Sequence, residues 1–197
     1  MEDLEAITCI HMEGFIGYRS SLLGKTVVRR LNRWFILHPD AVSFTAVSGG
    51  EVCGYVVGAP AGFTRPLTRY ALGHLIAAVL FRPVLWIEPS IWKGAVVKIL
   101  QLLGVRFGPR GTSGGGRDQR HFELVGIGVD ARHRSQGIAG ALMRAFEEEV
   151  ARRGFSRVTA SVKPANRAAQ RTFEKSGWRI VHEDSFTDLL VYEKLRR

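Results

Sequence analysis

The sequence predicts an α/β domain, and three stretches carry that prediction. The apolar run 124–129 leads through a basic, glycine-bearing loop into an amphipathic run, 141–153: a strand, a loop and a helix. The β-branched stretch 158–162 precedes Pro164 and a second helical run, 167–176. The runs 41–47 and 52–57 flank Ser48-Gly49-Gly50-Glu51, a hairpin pattern. At 197 residues the chain is read as a single domain, 1–197, large enough to bury a core.

Taken in order, residues 3–37 read as helical, in two pieces broken near 14–24. Val27, Val28, Leu31, Trp34 and Phe35 recur at helical spacing with Arg29, Arg30 and Arg33 on the other face, and Pro39 ends the run. After the hairpin comes an insertion, 61–120. It reads as a helical hairpin: 69–81, then 90–103 with Ser90 as N-cap and Gly104 as its stop. Arg82-Pro83 and Glu88-Pro89 break the run between them. The stretch 111–117, with four glycines in seven residues, is a flexible loop. Leu72, Leu75, Ile76, Val79 and Leu80, then Ile91, Ala95, Ile99 and Leu102, form apolar stripes. They read either as ordinary packing of the helical hairpin or as a functional apolar surface, such as one facing a ligand tail or a membrane. In the second strand–helix unit, Asn166 stands at the N-cap and Gly177 at the stop.

The loop Asp130-Ala131-Arg132-His133-Arg134-Ser135-Gln136-Gly137-Ile138-Ala139-Gly140 is suited to holding a phosphate. N–H groups at a helix start are unpaired and point outward, and the helix dipole favours an anion there. Gly137 and Ala139 keep side chains out of the way, and Arg134 adds a positive charge. The loop lacks the Lys-Ser/Thr ending of a P-loop and the three glycines of a dinucleotide fingerprint.

Arg134-x-x-Gly137-x-Ala139 resembles the Arg/Gln-x-x-Gly-x-Gly/Ala signature of the GNAT superfamily of N-acetyltransferases. Asn166, Ala169, Phe173, Gly177 and Trp178 resemble its downstream pattern, Asn-x-x-Ala-x-x-x-Tyr-x-x-x-Gly-Phe, with Ala168 and Ala169 both qualifying at the alanine. The resemblance is specific over 121–178, looser over 1–60 and absent over most of 61–120. It implies a mixed, largely antiparallel sheet flanked by helices, with the helical hairpin inserted. It also implies a V-shaped split between the 124–129 strand and the 157–162 strand, and a core at 121–178 that binds acetyl-CoA as co-substrate. The family opens with a strand before its first helix. Here Met1 lies almost at the helix, so that strand is missing or the start is not the natural one.

The resemblance also distributes roles. The Ile127 backbone N–H polarises the thioester carbonyl, and Gly128 and Val129 line the pantetheine. Arg134, Ser135, Gln136, Gly137, Ile138, Ala139 and Gly140 hold the pyrophosphate; Asn166 and Phe173 complete the cofactor set. Gly126 and Gly128 suit a bulged strand or a close ligand. Phe173 departs from the family's tyrosine, the proton donor to the leaving thiolate, so another group or solvent must supply that proton. Glu123 is the candidate general base, with His121 on the same strand face as a relay. Ser135 is assigned to phosphate contacts and no nucleophilic cysteine or serine stands near, which favours direct attack by the amine.

Composition bounds the partners. The net charge of +10 is uneven: −1 over 1–60, +7 over 61–120 and +4 over 121–197. The basic, apolar middle would attract a polyanion or an anionic membrane surface, and CoA accounts for part of the excess. Trp86 and Trp92 lie there, within reach of a substrate, but no nucleic-acid module is present. Cys9 and Cys53 read as buried small hydrophobes, His182-Glu183-Asp184 follows an end-of-sheet strand without metal spacing, and Glu147-Glu148-Glu149 reads as a solvated helix face. No metal site is expected. The longest apolar run, 75–81, is too short to span a bilayer, and the acidic start is wrong for a secretory signal, so a cytoplasmic location fits. The expected acceptor is a small-molecule amine such as an amino-sugar nucleotide, a lipid-linked precursor or a phosphorylated amine. Two alternatives stay open: a longer acyl donor from CoA or an acyl carrier protein, and a CoA-binding module without turnover.

Overall fold

The computed structural model describes residues 2–81, 121–184 and 188–195. Helix α1 (Glu2–Gly14), the short α2 (Arg19–Leu22) and α3 (Lys25–Leu37) come first. The hairpin β1 (Val42–Ser48) and β2 (Glu51–Pro60) turns at Gly49 and Gly50, both at positive φ. Helix α4 (Thr64–Phe81) begins five residues before the expected Arg69, because Pro66 is harmless in a first helical turn. Strand β3 (His121–Val129) leads through a 3-10 turn, Ala131–His133, to α5 (Ile138–Arg152). Then come β4 (Arg157–Val162), α6 (Arg167–Lys175), β5 (Arg179–Asp184) and β6 (Leu189–Leu195).

The six strands form one sheet in the order β1-β2-β3-β4-β6-β5. Every pairing is antiparallel except β3 with β4, so the expected mixed, largely antiparallel sheet is found. Helices cover both faces. On one, Ile7 and Ile10 of α1 and Trp34 and Phe35 of α3 pack with Tyr55, Val57 and Ala59 of β2. On the other, Leu142, Met143 and Phe146 of α5 and Phe173 of α6 pack on Val56, Phe122, Leu124 and Tyr192.

The sheet opens at its middle. The β3–β4 ladder runs from His121↔Arg157 to Leu124↔Ala160 and stops there. Beyond it β3 keeps pairing with β2 and β4 with β6, so the two strands part. The β2–β3 register also slips at this point: Val57 faces Gly126 and Gly58 faces Leu124, which leaves Val125 as the extra residue of a bulge.

Several expectations are corrected. Glu147 is buried, accepting from the Trp178 indole N–H (2.7 Å) and the Lys194 ammonium (2.6 Å), and Glu149 bonds Arg152 and Arg153; only Glu148 is exposed. Cys9 is exposed, whereas Cys53 is buried with its thiol 3.3 Å from the Ala46 carbonyl. His182, Glu183 and Asp184 lie within β5, paired to β6. Leu72, Ile76 and Leu80 are exposed; α4 instead seats Leu67, Tyr70 and Ala71 inward, and the Arg30 guanidinium of α3 sits 3.8 Å over the Tyr70 ring. The second inserted helix, Trp86, Trp92 and the loop 111–117 lie outside the described residues. No helix among the described residues is long and apolar enough to cross a membrane.

Candidate active site

A cleft of about 720 Å³ lies in the split. Ile127, Gly128 and Val129 of β3 form one wall, the loop through Arg134, Ser135 and Gly137 into Ile138, Ala139 and Gly140 forms one end, and Asn166 and Phe173 form the other wall. These are eleven of the twelve cofactor residues expected from the sequence; Gln136 is exposed and does not line the cleft.

The loop is built for an anion. Ser135 sits at φ 64 and Gly137 at φ 79, an alternation that turns successive N–H groups into one concavity. A left-handed serine costs roughly 1–2 kcal/mol, which marks the loop as held by its surroundings. A Cβ on Gly137 would meet nothing within 4 Å, so the space beside it is open for a ligand. The two loop arginines have different tasks. Arg132 is bound to Asp130 through its backbone N–H (2.8 Å) and its guanidinium (3.2 and 3.0 Å), and holds that carboxyl down to about 2. Arg134 instead donates Nε–H to the Val129 carbonyl (3.3 Å) at the cleft. Arg171 and Lys175 of α6 also line the cleft, against the lone carboxylate of Glu13 among the described lining residues. Their i, i+4 spacing places both on one face of α6.

The open edge of β3 supplies donors. Asp130 N–H donates to the Cys53 carbonyl of β2 (2.9 Å). Backbone amides alternate along a strand, so those of Val129 and Ile127 point the other way, into the split. On the opposite wall Asn166 caps α6 by accepting from Ala169 N–H (3.1 Å). Phe173 is 2% exposed, stacked on Tyr192 (5.4 Å) and edge-on to Trp178 (5.0 Å), so its ring is core as much as cleft.

Gly126 and Gly128 have a partner that the sequence did not suggest. A Cβ on Gly128 would stand 2.8 Å from Tyr55 Cε1 and 3.0 Å from Ile10 Cγ2. The glycines therefore admit the Tyr55 ring across the strand, on the face away from α5. Tyr55 Oη lies 2.7 Å from His11 Nδ1, and His11 Nε2 lies 3.0 Å from Ser20 Oγ. Burial pushes His11 down to about 4 and the Tyr55 phenol up, so both stay neutral near pH 7.

Glu123 and His121 are brought together but not into the cleft. His121 Nε2 is 3.8 Å from Glu123 Oε1, and Glu123 is half-buried, which raises its carboxyl above the ordinary range. Glu123 pairs with Ala59 and Thr159, one position below where the strands part. It lies four positions before Ile127, at most about 13 Å along the strand.

Residues 5–178 match the model of the acetyltransferase (GNAT) family. No curated protein matches the chain by sequence. Similar solved structures include PaiA N-acetyltransferase from Thermoplasma acidophilum in complex with coenzyme A, with TM-score 0.58, 12% identity and coverage of 98% of this chain and 93% of that one. Another is a ribosomal-protein-alanine N-acetyltransferase from Brucella melitensis, at TM-score 0.57, 18% identity and 98% and 94% coverage. A third is an N-acetyltransferase from Staphylococcus aureus Mu50, at TM-score 0.58, 18% identity and 98% and 93% coverage. The split sheet, the glycine-bearing loop at the start of α5 and the family match over 5–178 together make this chain a member of the GNAT family of acetyltransferases.

Proposed function

We propose that the protein moves an acetyl group from acetyl-CoA to the primary amine of a small acceptor by direct attack. The observation that carries this reading is the free edge of β3, aimed into a cleft that ends in the concave N–H loop before α5. Acetyl-CoA supplies the acetyl group as an activated thioester. The loop from Arg134 to Gly140, with Arg171 and Lys175, neutralises the pyrophosphate. The Val129 edge aligns the pantetheine. The Ile127 N–H donates to the thioester oxygen as charge develops there, a contribution on the order of 3 kcal/mol for one such donor.

The remaining proton traffic follows from the wall residues. Glu123, with its raised carboxyl and His121 beside it, takes the amine's proton through water, because its carboxyl does not line the cleft. Phe173 offers no proton, so the departing thiolate takes one from solvent. The PaiA neighbour in complex with coenzyme A supports the donor, and the neighbour named for a ribosomal-protein alanine widens the acceptor set to peptide amines. The test is thiol release from acetyl-CoA across amino sugars, lipid-linked amines, phosphorylated amines and peptide N-termini. Amine-dependent release that Gly137→Asp abolishes supports the reading. CoA binding without release to any amine favours a binding module.

A further inference from the structure

The split has a third wall, formed by residues with no role so far. The chain leaving α1 does not turn back onto its own side of the sheet. Phe15 and Gly14 line the cleft, and the segment then crosses to the far strand. There the Tyr18 hydroxyl oxygen accepts from Lys163 N–H (3.3 Å) and from Asn166 Nδ2 (3.3 Å). Lys163 Nζ donates to the Gly17 carbonyl (2.7 Å) and stands 4.9 Å from the Tyr18 ring centre. Gly17, at φ 76, makes the turn that presents this carbonyl. Because α1 rests on β2 and β3 while Lys163 and Asn166 follow β4, the strap 15–18 bridges the two strands across their gap.

Behind the strap the aromatic rings are continuous. Phe15 stacks on His11 (4.4 Å), His11 on Tyr55 (6.2 Å), and Phe15 meets Tyr18 edge-on (5.1 Å). Tyr55 lies against Gly126 and Gly128, the residues that flank Ile127. A thioester held at Ile127 would thus have Phe173 and its core on one side and this aromatic wall on the other. Ahead of it the strands rejoin at Leu124↔Ala160. An acyl chain longer than a few carbons must displace the strap or fill the approach beside Val125, which is 40% exposed.

We propose that the strap Phe15–Tyr18, latched to Lys163 and Asn166, is a length gauge that restricts the acyl donor to acetyl and its near homologues. This rests on the cofactor reading above, and it rejects the longer acyl donor that the sequence left open.

The test uses non-reactive thioethers, so no acceptor need be known. Calorimetry compares free CoA, S-ethyl-CoA, S-butyl-CoA and S-octyl-CoA on the full chain. In an open apolar groove each added methylene tightens binding roughly fourfold. The gauge demands the opposite: S-butyl-CoA about tenfold weaker than S-ethyl-CoA, because overfilling a packed wall forces it apart, and S-octyl-CoA weaker still. Tyr18→Ala should bring the butyl-to-ethyl ratio back to within about threefold by removing the latch ring. Lys163→Met removes the ammonium bond to the Gly17 carbonyl and so loosens the latch while keeping the strap's own side chains, and should shift the ratio in the same direction, by less, should Tyr18→Ala fail to fold. S-octyl-CoA binding as tightly as S-ethyl-CoA to the wild type would overturn the gauge alone. Unchanged ratios in the folded variants would overturn the strap's part in it. If CoA itself does not bind, the cofactor reading falls and the gauge with it, a result that differs visibly from tight octyl binding.

Discussion

Glu123→Gln separates a catalytic carboxylate from a structural one, because the structure sets opposite signs for its two readouts. Burial raises the Glu123 carboxyl above its ordinary range, so the folded protein binds this proton more tightly than the unfolded chain does. The stability tied to that proton is fully present below the unfolded carboxylate value and is lost as pH rises through the higher folded one. At neutral pH the ionised side chain is therefore a net cost that glutamine removes. The side chain is 37% exposed, so water screens the effect to below about 1 kcal/mol. For a chain of this size that is about 2–4 °C in Tm at most. The rate should move far more, since a positioned general base contributes about a hundredfold to ten-thousandfold. Thiol release measured from about pH 7 to about pH 9.5 should show a deficit that shrinks as the amine deprotonates unaided. Thermal melts should show Glu123→Gln slightly more stable near pH 7 and equal to the wild type in acid. A normal rate at neutral pH would refute the assignment and point to His121 next. A lower Tm near pH 7 would refute the desolvation argument, showing that partners hold the carboxylate in its charged form.

The other expectations can be checked with the same material. Gly137→Asp should abolish CoA binding in calorimetry, since it puts a carboxylate into the open space of the loop; wild-type affinity in a folded variant would reject the site. Arg134→Ala should weaken CoA binding by about 1–3 kcal/mol, the worth of a charge-assisted contact. Phe173→Tyr should raise turnover or extend it to higher pH by giving the thiolate a proton donor, with Tm within about 2 °C; a much larger fall would show the hydroxyl trapped against Tyr192 and Trp178. Glu147→Ala should lower stability by about 3 kcal/mol, because the Lys194 ammonium and the Trp178 indole lose a buried acceptor; a melt within about 2 °C of wild type would contradict that.

Features legible in the sequence are those that neighbouring residues decide. Asn166 capping Ala169, Gly177 at φ 80 and the Gly49-Gly50 hairpin are each settled within a few positions, and so is the loop before α5. The sequence alone places Glu147 on a solvated helix face, because three consecutive glutamates match one, while its partners stand 31 and 47 residues away. The Tyr18 latch joins residues 145 and 148 positions apart, and no local pattern announces it. Gly126 and Gly128 were recognised as sites of close approach. The approaching group is the ring of Tyr55, which strand pairing sets opposite Gly128. Cys9 was misplaced because helical spacing alone does not say how deep a small residue sits; it falls on the outer side of the α1 stripe formed by Leu4, Ile7 and Ile10.

One inserted residue accounts for much of the site. Before Val125, the even-numbered residues Phe122 and Leu124 face α5 and are buried there, while His121 and Glu123 face the other way. After it the parity is reversed: Ile127 packs toward α5, and Gly126 and Gly128 turn to Tyr55. A strand of strict period two would have put the Ile127 side chain where the Tyr55 ring now lies. The bulge coincides with the last rung of the β3–β4 ladder, Leu124↔Ala160. The extra residue thus twists β3 away from β4, frees the Ile127 and Val129 amides, and leaves Glu123 on the paired side of the break. The carboxylate and the amide donor are held on one strand, four positions apart. The aromatic wall behind the strap depends on the same reversal, since it is Gly128, and not a branched side chain, that meets Tyr55. The Ile127 and Val129 amide edge, the Glu123 carboxylate and the aromatic wall are thereby fixed relative to one another by a single irregularity in β3, in the part of the sheet that packs against both α1 and α5.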